Sequence, residues 1–367
     1  MKQISRAAAL LGASALVLAA CGAPPADTSG SGGSDSGAAP ADAKVCMVSD
    51  QGGFDDKSFN ESSHDGLVAI KDKTGVKTQT AESNSPADFS PNLQNMANQG
   101  CTTVFTVGFL LATETGNAAK ANPNIDYAIV DATAADADGN PIELDNVKPI
   151  VFDTAQAAYL AGYTAAGMSK TGVVATYGGM KIPSVTIFMD GFVDGVNKYN
   201  EVHGTDVKVL GWNKEKQDGS FTDDFSDQTK GKSLTEGFIN QKADVIMPVA
   251  GPVGAGTLAA AKEHDGVMVI WVDADGVETN PDSKDVILTS VVKLMGNAVE
   301  SVAQDSMNGE FNNTPYVGNL ENGGVNLAPF HEFDSQVPDD LKKEVEQLKQ
   351  DIIDGTITVE SPASPQG

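Results

Sequence analysis

Three aspartates in this sequence stand at, or directly after, the end of a short apolar run: Asp50, Asp131 and Asp273. A fixed, ionised carboxylate accepts hydrogen bonds from two adjacent hydroxyl groups, whereas a pair of carboxyls can act as general acid and base in hydrolysis. Among the four histidines, His64 alone lies near one of these motifs, and the four lack metal-ligand spacing. We therefore expect these aspartates to bind a hydroxylated ligand, without a metal or cofactor, rather than to catalyse a reaction.

The elements that must position these side chains are short apolar runs that alternate with amphipathic stretches from residue 45 onward. The predicted strands are 45–49, 76–81, 103–107, 126–131, 149–152, 172–177, 206–211, 244–249, 267–272 and 285–289. The predicted helices are 58–73, 88–98, 111–121, 154–169, 182–200, 228–241, 254–264, 293–308 and 338–354. Several strands are apolar on both faces, which is typical of strands covered by helices on both sides. The sequence therefore predicts an α/β protein with two doubly wound parallel sheets.

Small or acidic residues end or directly follow six of these strands. They are Asp50-Gln51-Gly52-Gly53, Gly108-Phe109, Asp131, Gly178-Gly179, the loop 250–256 and Asp273-Ala274-Asp275. Ordinary turn chemistry explains any one of them. Because the carboxyl ends of parallel strands meet at one edge of a sheet, and ligands bind at that edge, their coincidence predicts a binding site.

Charge narrows the class of ligand. The chain has 367 residues, with 50 Asp plus Glu against 24 Lys plus Arg and a formal net charge of −26. At roughly 150 residues per domain, this length suggests two domains. Arg6 is the only arginine, so the body lacks the forked donor that usually clamps phosphates and carboxylates. This balance argues against a nucleic-acid polymer as partner and favours a neutral or cationic small molecule.

The first 43 residues differ in composition from the rest. A basic start precedes the apolar run 7–20, which ends in Leu18-Ala19-Ala20-Cys21. This pattern predicts a lipoprotein signal peptide over 1–21 with Cys21 lipidated; an ordinary signal peptide with an incidental cysteine is the alternative. Residues 22–43, rich in Gly, Ser, Ala, Pro and Asp, predict a flexible tether. We therefore expect the protein at the cell membrane, lipid-anchored on the extracytoplasmic face.

Two further cysteines, Cys46 and Cys101, each stand at the start of a predicted strand. If these strands are parallel neighbours, their amino ends are adjacent and a disulfide is geometrically possible. An oxidising compartment would preserve such a bridge. Two buried free thiols are the alternative.

Several motifs, taken in this order, resemble one protein family. They are 50–60 (DQGGFDDKSFN), 155–163 (AQAAYLAGY), 178–185 (GGMKIPSV) with Gly191-Phe192, 225–232 (FSDQTKGK), 243–246 (ADVI) and the glycine loop 250–256. Together they resemble the basic membrane protein family, which comprises substrate-binding lipoproteins of ABC transporters and includes bacterial purine nucleoside receptors. The resemblance covers nearly all of residues 44–360.

This resemblance implies a type I periplasmic-binding-protein fold, in which two α/β lobes joined by a hinge close on a ligand in the cleft between them. Placed on the predicted elements, the N-terminal lobe comprises 44–153 plus 294–318. The C-terminal lobe comprises 154–293 plus 319–367, with the last predicted helix packed on it.

The resemblance also implies roles for the candidate side chains toward a nucleoside. Phe59 and Phe225 would stack on the base, one from each lobe, and Phe109 is a weaker candidate for the same role. Either of the first two rings, taken alone, would more often belong to the core. Asn60 and Asp131 would reach the edge of the base, where an amide can both donate and accept.

The ribose would be held by charged side chains. Asp273 would accept hydrogen bonds from its adjacent hydroxyls, and Lys293 would donate to a ribose oxygen; a solvated lysine at a helix start is the alternative for Lys293. Asp50 would lie near the base edge. Gly251 would let the ligand approach the backbone closely, because glycine has no Cβ.

The leading hypothesis is therefore a monomeric binding protein, not an enzyme, that captures a nucleoside, with a purine preferred, and delivers it to an ABC permease. A sugar or autoinducer ligand is the alternative within the same fold, because sugar sites also use aromatic rings and carboxylates. A receptor that reports to a sensor kinase would use the same site. A secreted nucleoside hydrolase or glycosidase, served by Asp50, Asp131 and Asp273, is the alternative from another class.

Overall fold

The computed structural model of the 367-residue chain describes residues 39–365. Its strands are β1 (Lys44–Ser49), β2 (Lys77–Ala81), β3 (Thr103–Val107), β4 (Asp126–Val130), β5 (Val147–Phe152), β6 (Val173–Gly178), β7 (Lys208–Leu210), β8 (Trp212–Asn213), β9 (Asp218–Gly219), β10 (Val245–Val249), β11 (Met268–Asp273), β12 (Ile287–Lys293), β13 (Tyr316–Gly318) and β14 (Val325–Leu327). Its helices are α1 (Phe59–Thr74), α2 (Pro86–Asn98), α3 (Ala112–Ala121), α4 (Thr154–Met168), α5 (Pro183–His203), α6 (Gln228–Asn240), α7 (Gly254–Lys262), α8 (Gly276–Thr279), α9 (Met295–Met307) and α10 (Asp339–Ile353). Single 3-10 turns lie at Phe109–Leu111, Gly251–Val253, Pro281–Ser283 and His331–Phe333.

Two six-stranded sheets carry the fold. Sheet one has the order β13-β5-β4-β3-β1-β2 and is parallel throughout. Sheet two has the order β14-β12-β11-β10-β6-β7 and is parallel except for β14, which pairs antiparallel with β12. Strands β8 and β9 form a separate small hairpin. The predicted class, an α/β protein with two doubly wound parallel sheets, is confirmed.

The central strands are buried on both faces, as their sequences predict. Every residue of β3, β10 and β11 is buried. Strands covered by helices on both faces read as continuous apolar runs, because neither face meets water. All ten predicted strands and nine predicted helices have a counterpart, whereas β8, β9, β13, β14 and α8, each of two to four residues, were not predicted.

The predicted boundary between β12 and the helix that follows it is wrong. Strand β12 was expected to end at residue 289 and the next helix to begin at 293, but β12 continues to Lys293 and α9 begins at Met295. Residues 290–293 remain in the strand because β11 pairs with them on one side and β14 on the other. The buried setting of Lys293 follows from this extension.

The chain passes between the sheets three times. Strand β5 of sheet one ends at Phe152, and the following helix, α4, packs on β12 and β14 of sheet two. Strand β12 of sheet two ends at Lys293, and α9 then packs against α1, β3 and β4. The chain returns from β13 in sheet one, which ends at Gly318, to β14 in sheet two. The limits of the two lobes stay a prediction.

Helices α4 and α5 approach each other closely because small residues line their contact. A Cβ added to Gly191 would lie 2.3 Å from the carbonyl oxygen of Ala155, and one added to Gly162 would lie 2.0 Å from that of Phe192. Real Cβ atoms do not come this near to backbone, so both positions require glycine. Helix α10 packs on the same helix α4.

A disulfide joins Cys46 of β1 to Cys101, two residues before β3, with the Cα atoms 6.0 Å apart. The two strands are parallel neighbours, in which Val45 pairs with Thr103. Both cysteines are buried in the core cluster that covers one face of sheet one.

Loss of this bridge should lower the free energy of unfolding by about 4 kcal/mol at most, because it cross-links positions 55 residues apart in the unfolded chain. We expect the variant Cys46→Ala/Cys101→Ala to unfold at lower denaturant concentration. Denatured but unreduced protein carrying Cys21→Ser should not react with a thiol reagent until it is reduced. Labelling of Cys46 and Cys101 before reduction would contradict the bridge.

Within residues 39–365, no helix is long and apolar enough to cross a membrane. In the same part of the chain, no group of three or more His, Cys, Asp or Glu side chains could hold a metal ion. The predicted signal peptide and Cys21 lie outside the described residues, as does most of the predicted tether.

Candidate ligand-binding site

The carboxyl ends of both sheets face one cavity. It contains about 520 Å³ of space between atoms, including its opening to solvent. All nine residues predicted to bind a ligand line it: Asp50, Phe59, Asn60, Phe109, Asp131, Phe225, Gly251, Asp273 and Lys293. Its other lining residues, which were not predicted as binding, are Gln51, Asp56, Gly108, Ile182, Ser184, Val185, Phe188, Val249, Ala250 and Pro252. The structure thus brings the predicted residues together, and their binding of a ligand stays a prediction.

A buried lysine lies between two carboxylates from the two sheets. The Nζ of Lys293 lies 2.5 Å from Oδ2 of Asp131 and 2.9 Å from Oδ1 of Asp273. Its side chain is 2% exposed, so the alternative of a solvated helix-start lysine is wrong. Burial lowers the pKa of Lys293, but the two aspartates outweigh burial and raise it above its ordinary value. The ammonium therefore stays charged.

The two aspartates occupy equivalent positions and share an unusual backbone conformation. Asp131 directly follows β4 and Asp273 ends β11, and these strands hold the same place in the order of their sheets. Their φ angles are +63° and +71°. Left-handed residues other than glycine cost about 1–3 kcal/mol and cluster at functional sites, and aspartate tolerates this region better than most residues. The sequence pattern contains no signal for this conformation.

Aromatic rings surround the same ammonium group. The Nζ of Lys293 lies 4.8 Å from the ring centroid of Phe59 and 5.1 Å from that of Phe188, both within cation–π range. Phe59 and Phe225 are half-buried, so each keeps part of its ring available to the cavity. Phe188 is fully buried on α5 and was missed because it belongs to a long apolar helix face. Phe109 is 36% exposed and thus only partly enclosed.

Asn60 and Asp50 form the polar part of the wall contributed by sheet one. The Nδ2 of Asn60 donates to Oδ1 of Asp50 at 3.3 Å and to the carbonyl oxygen of Gln51 at 3.2 Å. The Oδ1 of Asn60 is buried without a protein partner, which leaves a free acceptor. Burial raises the pKa of Asp50 well above its usual range, with Asn60 opposing the shift and the nearby Asp56 and Asp131 adding to it. This shift favours the neutral acid, which can donate a hydrogen bond.

Asp56 positions the start of α1. Its carboxylate accepts hydrogen bonds from the backbone N–H groups of Ser58, Asn60 and Glu61 at 3.0, 2.8 and 3.0 Å. These groups have no partner within the helix, so the carboxylate caps it and fixes Phe59 and Asn60. Burial raises the pKa of Asp56 to about 6 against the lowering effect of these bonds. An acidic residue just before a predicted helix start is a capping signal that the sequence contains.

Gly108 is required for the position of the Asp50 carboxyl. A Cβ at Gly108 would lie 1.9 Å from Oδ2 of Asp50, and the φ angle of Gly108 is +107°. No larger residue fits without displacing that carboxyl.

We expect Gly108→Ala to weaken ligand binding about tenfold or more and to lower stability by roughly 1–3 kcal/mol, through the clash and the backbone strain. Gly75→Ala is the matched control, because Gly75 also has a positive φ, of +71°, with nothing within 4 Å of an added Cβ. The control should lose some stability but keep its affinity. Equal affinity in Gly108→Ala and the native chain would contradict this role.

Two doubly wound sheets, with three chain crossings and one cavity at their carboxyl ends, define the type I periplasmic-binding-protein fold. An ABC transporter solute-binding protein from Aeropyrum pernix K1 has the same fold, with a TM-score of 0.78 and 25% sequence identity over 87% of this chain and 94% of that chain.

The family can be stated more narrowly. The model of the family described as "ABC transporter substrate-binding protein PnrA-like" matches residues 43–362. The ABC transporter nucleoside-binding protein BmpA of Lactococcus lactis subsp. cremoris is 34% identical over 98% of this chain and 99% of its own length. Basic membrane protein A of Borreliella burgdorferi is 29% identical over 87% of this chain and 88% of its own length. The chain belongs to the PnrA-like family of ABC transporter substrate-binding proteins, and the resemblance to the basic membrane protein family is confirmed.

Proposed function

We propose that this protein binds a nucleoside, preferably a purine nucleoside, outside the cell and delivers it to an ABC permease. The observation that carries the proposal is the cavity itself, where half-buried rings and the ion-paired group Asp131–Lys293–Asp273 line one space. A base needs aromatic faces and a ribose needs an acceptor for adjacent hydroxyls. The similar Lactococcus lactis protein is named as nucleoside-binding.

The proposed pose follows from which polar atoms remain available. The base lies against Phe59 and Phe225, with its edge toward Asn60, whose Oδ1 has no protein partner, and toward Asp50. Asp131 is bonded to Lys293 through Oδ2, so Oδ1 is the oxygen that turns to the ligand. The ribose lies beside Asp273, with Lys293 as donor and the backbone of Gly251 in close approach.

Charge in the cavity favours an uncharged ligand. Four aspartates, at positions 50, 56, 131 and 273, line the cavity with one lysine, whose charge is already shared between two of them. The described part of the chain contains no arginine. A phosphate group would therefore face the ionised carboxylates of Asp131 and Asp273 without a free cation, and like charges brought together cost several kcal/mol. We propose that the site accepts nucleosides and rejects nucleotides.

Thermal denaturation with a panel of ligands tests this function. The panel comprises guanosine, adenosine, inosine, uridine, ribose, galactose, free bases and guanosine monophosphate. A ligand present at 100 times its dissociation constant stabilises the fold by about 2.7 kcal/mol, which is readily measured. We expect purine nucleosides to raise the melting temperature, and ribose and the nucleotide to leave it unchanged. A shift with galactose alone would transfer the function to sugar uptake.

We further propose that Cys21 carries the lipid that anchors a monomeric chain to the extracytoplasmic face of the membrane. The support is the sequence of residues 7–21 and the family, whose members serve ABC transporters. Cys21→Ser should release the protein from membranes, and mass spectrometry of the native N-terminus should find an acylated Cys21. A native protein that starts at another residue would overturn this anchor.

A further inference from the structure

Two hydrogen bonds at the edge of the cavity connect the elements of the two sheets. The indole Nε1 of Trp271, on β11, donates to the carbonyl oxygen of Lys57 at 3.2 Å. The hydroxyl of Ser58 donates to Oδ2 of Asp273 at 2.9 Å, with the carbonyl oxygen of Val272 also within reach at 3.2 Å. Lys57 and Ser58 directly precede α1, which packs on β1 and β2 of sheet one, whereas β11 belongs to sheet two. We call these four residues, Lys57, Ser58, Trp271 and Asp273, the clasp.

Each half of the clasp is fixed within its own part of the fold. The Asp56 carboxylate binds the N–H groups at the start of α1 and thereby holds Ser58. On the other side, Gly254 and Gly276 enclose the Trp271 indole, since a Cβ at these positions would lie 2.9 Å and 2.7 Å from the nearest ring atom. The two hydrogen bonds therefore join two preformed surfaces, and they form only when the sheets are as near as they are here.

The clasp also reaches the proposed ribose site. Asp273 receives Ser58 at Oδ2, while Lys293 lies 2.9 Å from Oδ1. Ser58 is fully buried and does not line the cavity. It therefore holds the carboxylate in place from the opposite sheet without taking space from a ligand.

The backbone of Lys57 supports a conformational role. Its φ angle is +58°, in the left-handed region that lysine seldom adopts. This conformation presents the Lys57 carbonyl to Trp271, and the hydrogen bond offsets the strain. Opening of the cleft would break this bond and let the loop relax.

We infer that the clasp holds the cleft closed around the ligand, and that Ser58 is a positioning residue that sets how long the ligand stays bound. The inference rests on the proposed nucleoside function. Hydrogen bonds that form only after the cleft closes slow the dissociation of the ligand and leave its association rate unchanged. Loss of the clasp should therefore change the dissociation rate.

Stopped-flow measurement with guanosine and inosine tests the clasp. Ser58→Ala and Trp271→Phe should each raise the dissociation rate about tenfold and change the association rate less than twofold. Ser63→Ala is the matched control, because Ser63 is a buried serine of α1 whose hydroxyl bonds to the carbonyl of Phe59 and does not reach β11. A general loss of structure would lower the melting temperature of the ligand-free chain and slow association, which the clasp does not predict.

The outcomes separate the two proposals. If the native chain binds guanosine or inosine and both variants dissociate at the native rate, the clasp is refuted and the function stands. If the ligand-free native chain binds neither nucleoside, the proposed function fails and this inference fails with it. Faster dissociation in both clasp variants but not in Ser63→Ala supports the clasp.

Discussion

The variant Lys293→Met should be less stable than the native chain by about 3–5 kcal/mol, the usual cost of leaving buried charges without their partner. Lys293 is 2% exposed, and its ammonium is shared by Asp131 and Asp273. Methionine keeps most of the side-chain volume, so the loss comes mainly from two buried carboxylates that face each other without a cation. Chemical denaturation at neutral pH, followed by circular dichroism, measures the difference.

Two further variants separate charge from packing. The triple variant Lys293→Met/Asp131→Asn/Asp273→Asn removes all three charges and should regain most of the lost stability without regaining ligand affinity. Lys284→Met removes an exposed lysine that is paired with Glu332 and should leave the denaturation midpoint nearly unchanged. A triple variant as unstable as Lys293→Met would show that packing, and not uncompensated charge, accounts for the loss.

The variant Asp273→Asn should bind nucleosides roughly 100- to 10,000-fold more weakly. Two hydrogen bonds from ribose hydroxyls to an ionised carboxylate are worth about 1.5–3 kcal/mol each. Calorimetric titration with guanosine and with 2′,3′-dideoxyguanosine identifies the group responsible. The native chain should prefer guanosine strongly, and the variant should bind the two compounds almost equally.

Asp282→Asn is the control for this substitution, since Asp282 is exposed and lies outside the cavity lining. It should bind both compounds as the native chain does. If Asp273→Asn keeps the native preference for guanosine, Asp273 does not hold the ribose, and the proposed pose is wrong.

Much of the fold follows from short-range sequence patterns. Strand β10 is apolar throughout and β11 is apolar up to Asp273, a pattern typical of strands buried on both faces. Strands β13 and β14 have three residues each, too few to produce a pattern, and their pairing depends on chain segments far away in sequence. The end of β12 was misplaced for the same reason, since its last residues owe their burial to β11 and β14.

The sequence predicts those residues of the candidate site that lie at the ends of strands. All nine predicted residues line the cavity, because each lies at a strand end or in one of the motifs that resemble the family. Phe188 and Ser58 were missed, since their roles depend on contacts with Lys293 and Asp273, more than 100 residues away in sequence. The left-handed backbone of Asp131 and Asp273 is likewise a product of tertiary structure.

The central claim is that one cavity binds the base and the ribose of a nucleoside together. Calorimetric titration tests this claim most directly. The native chain is first unfolded and refolded to remove any co-purified ligand. Guanosine or inosine should bind with one molecule per chain. Ribose and the free bases should bind far more weakly, because each engages only one half of the site. A refolded chain that gives no heat with any nucleoside, or that binds ribose as tightly as it binds guanosine, would contradict the proposed function.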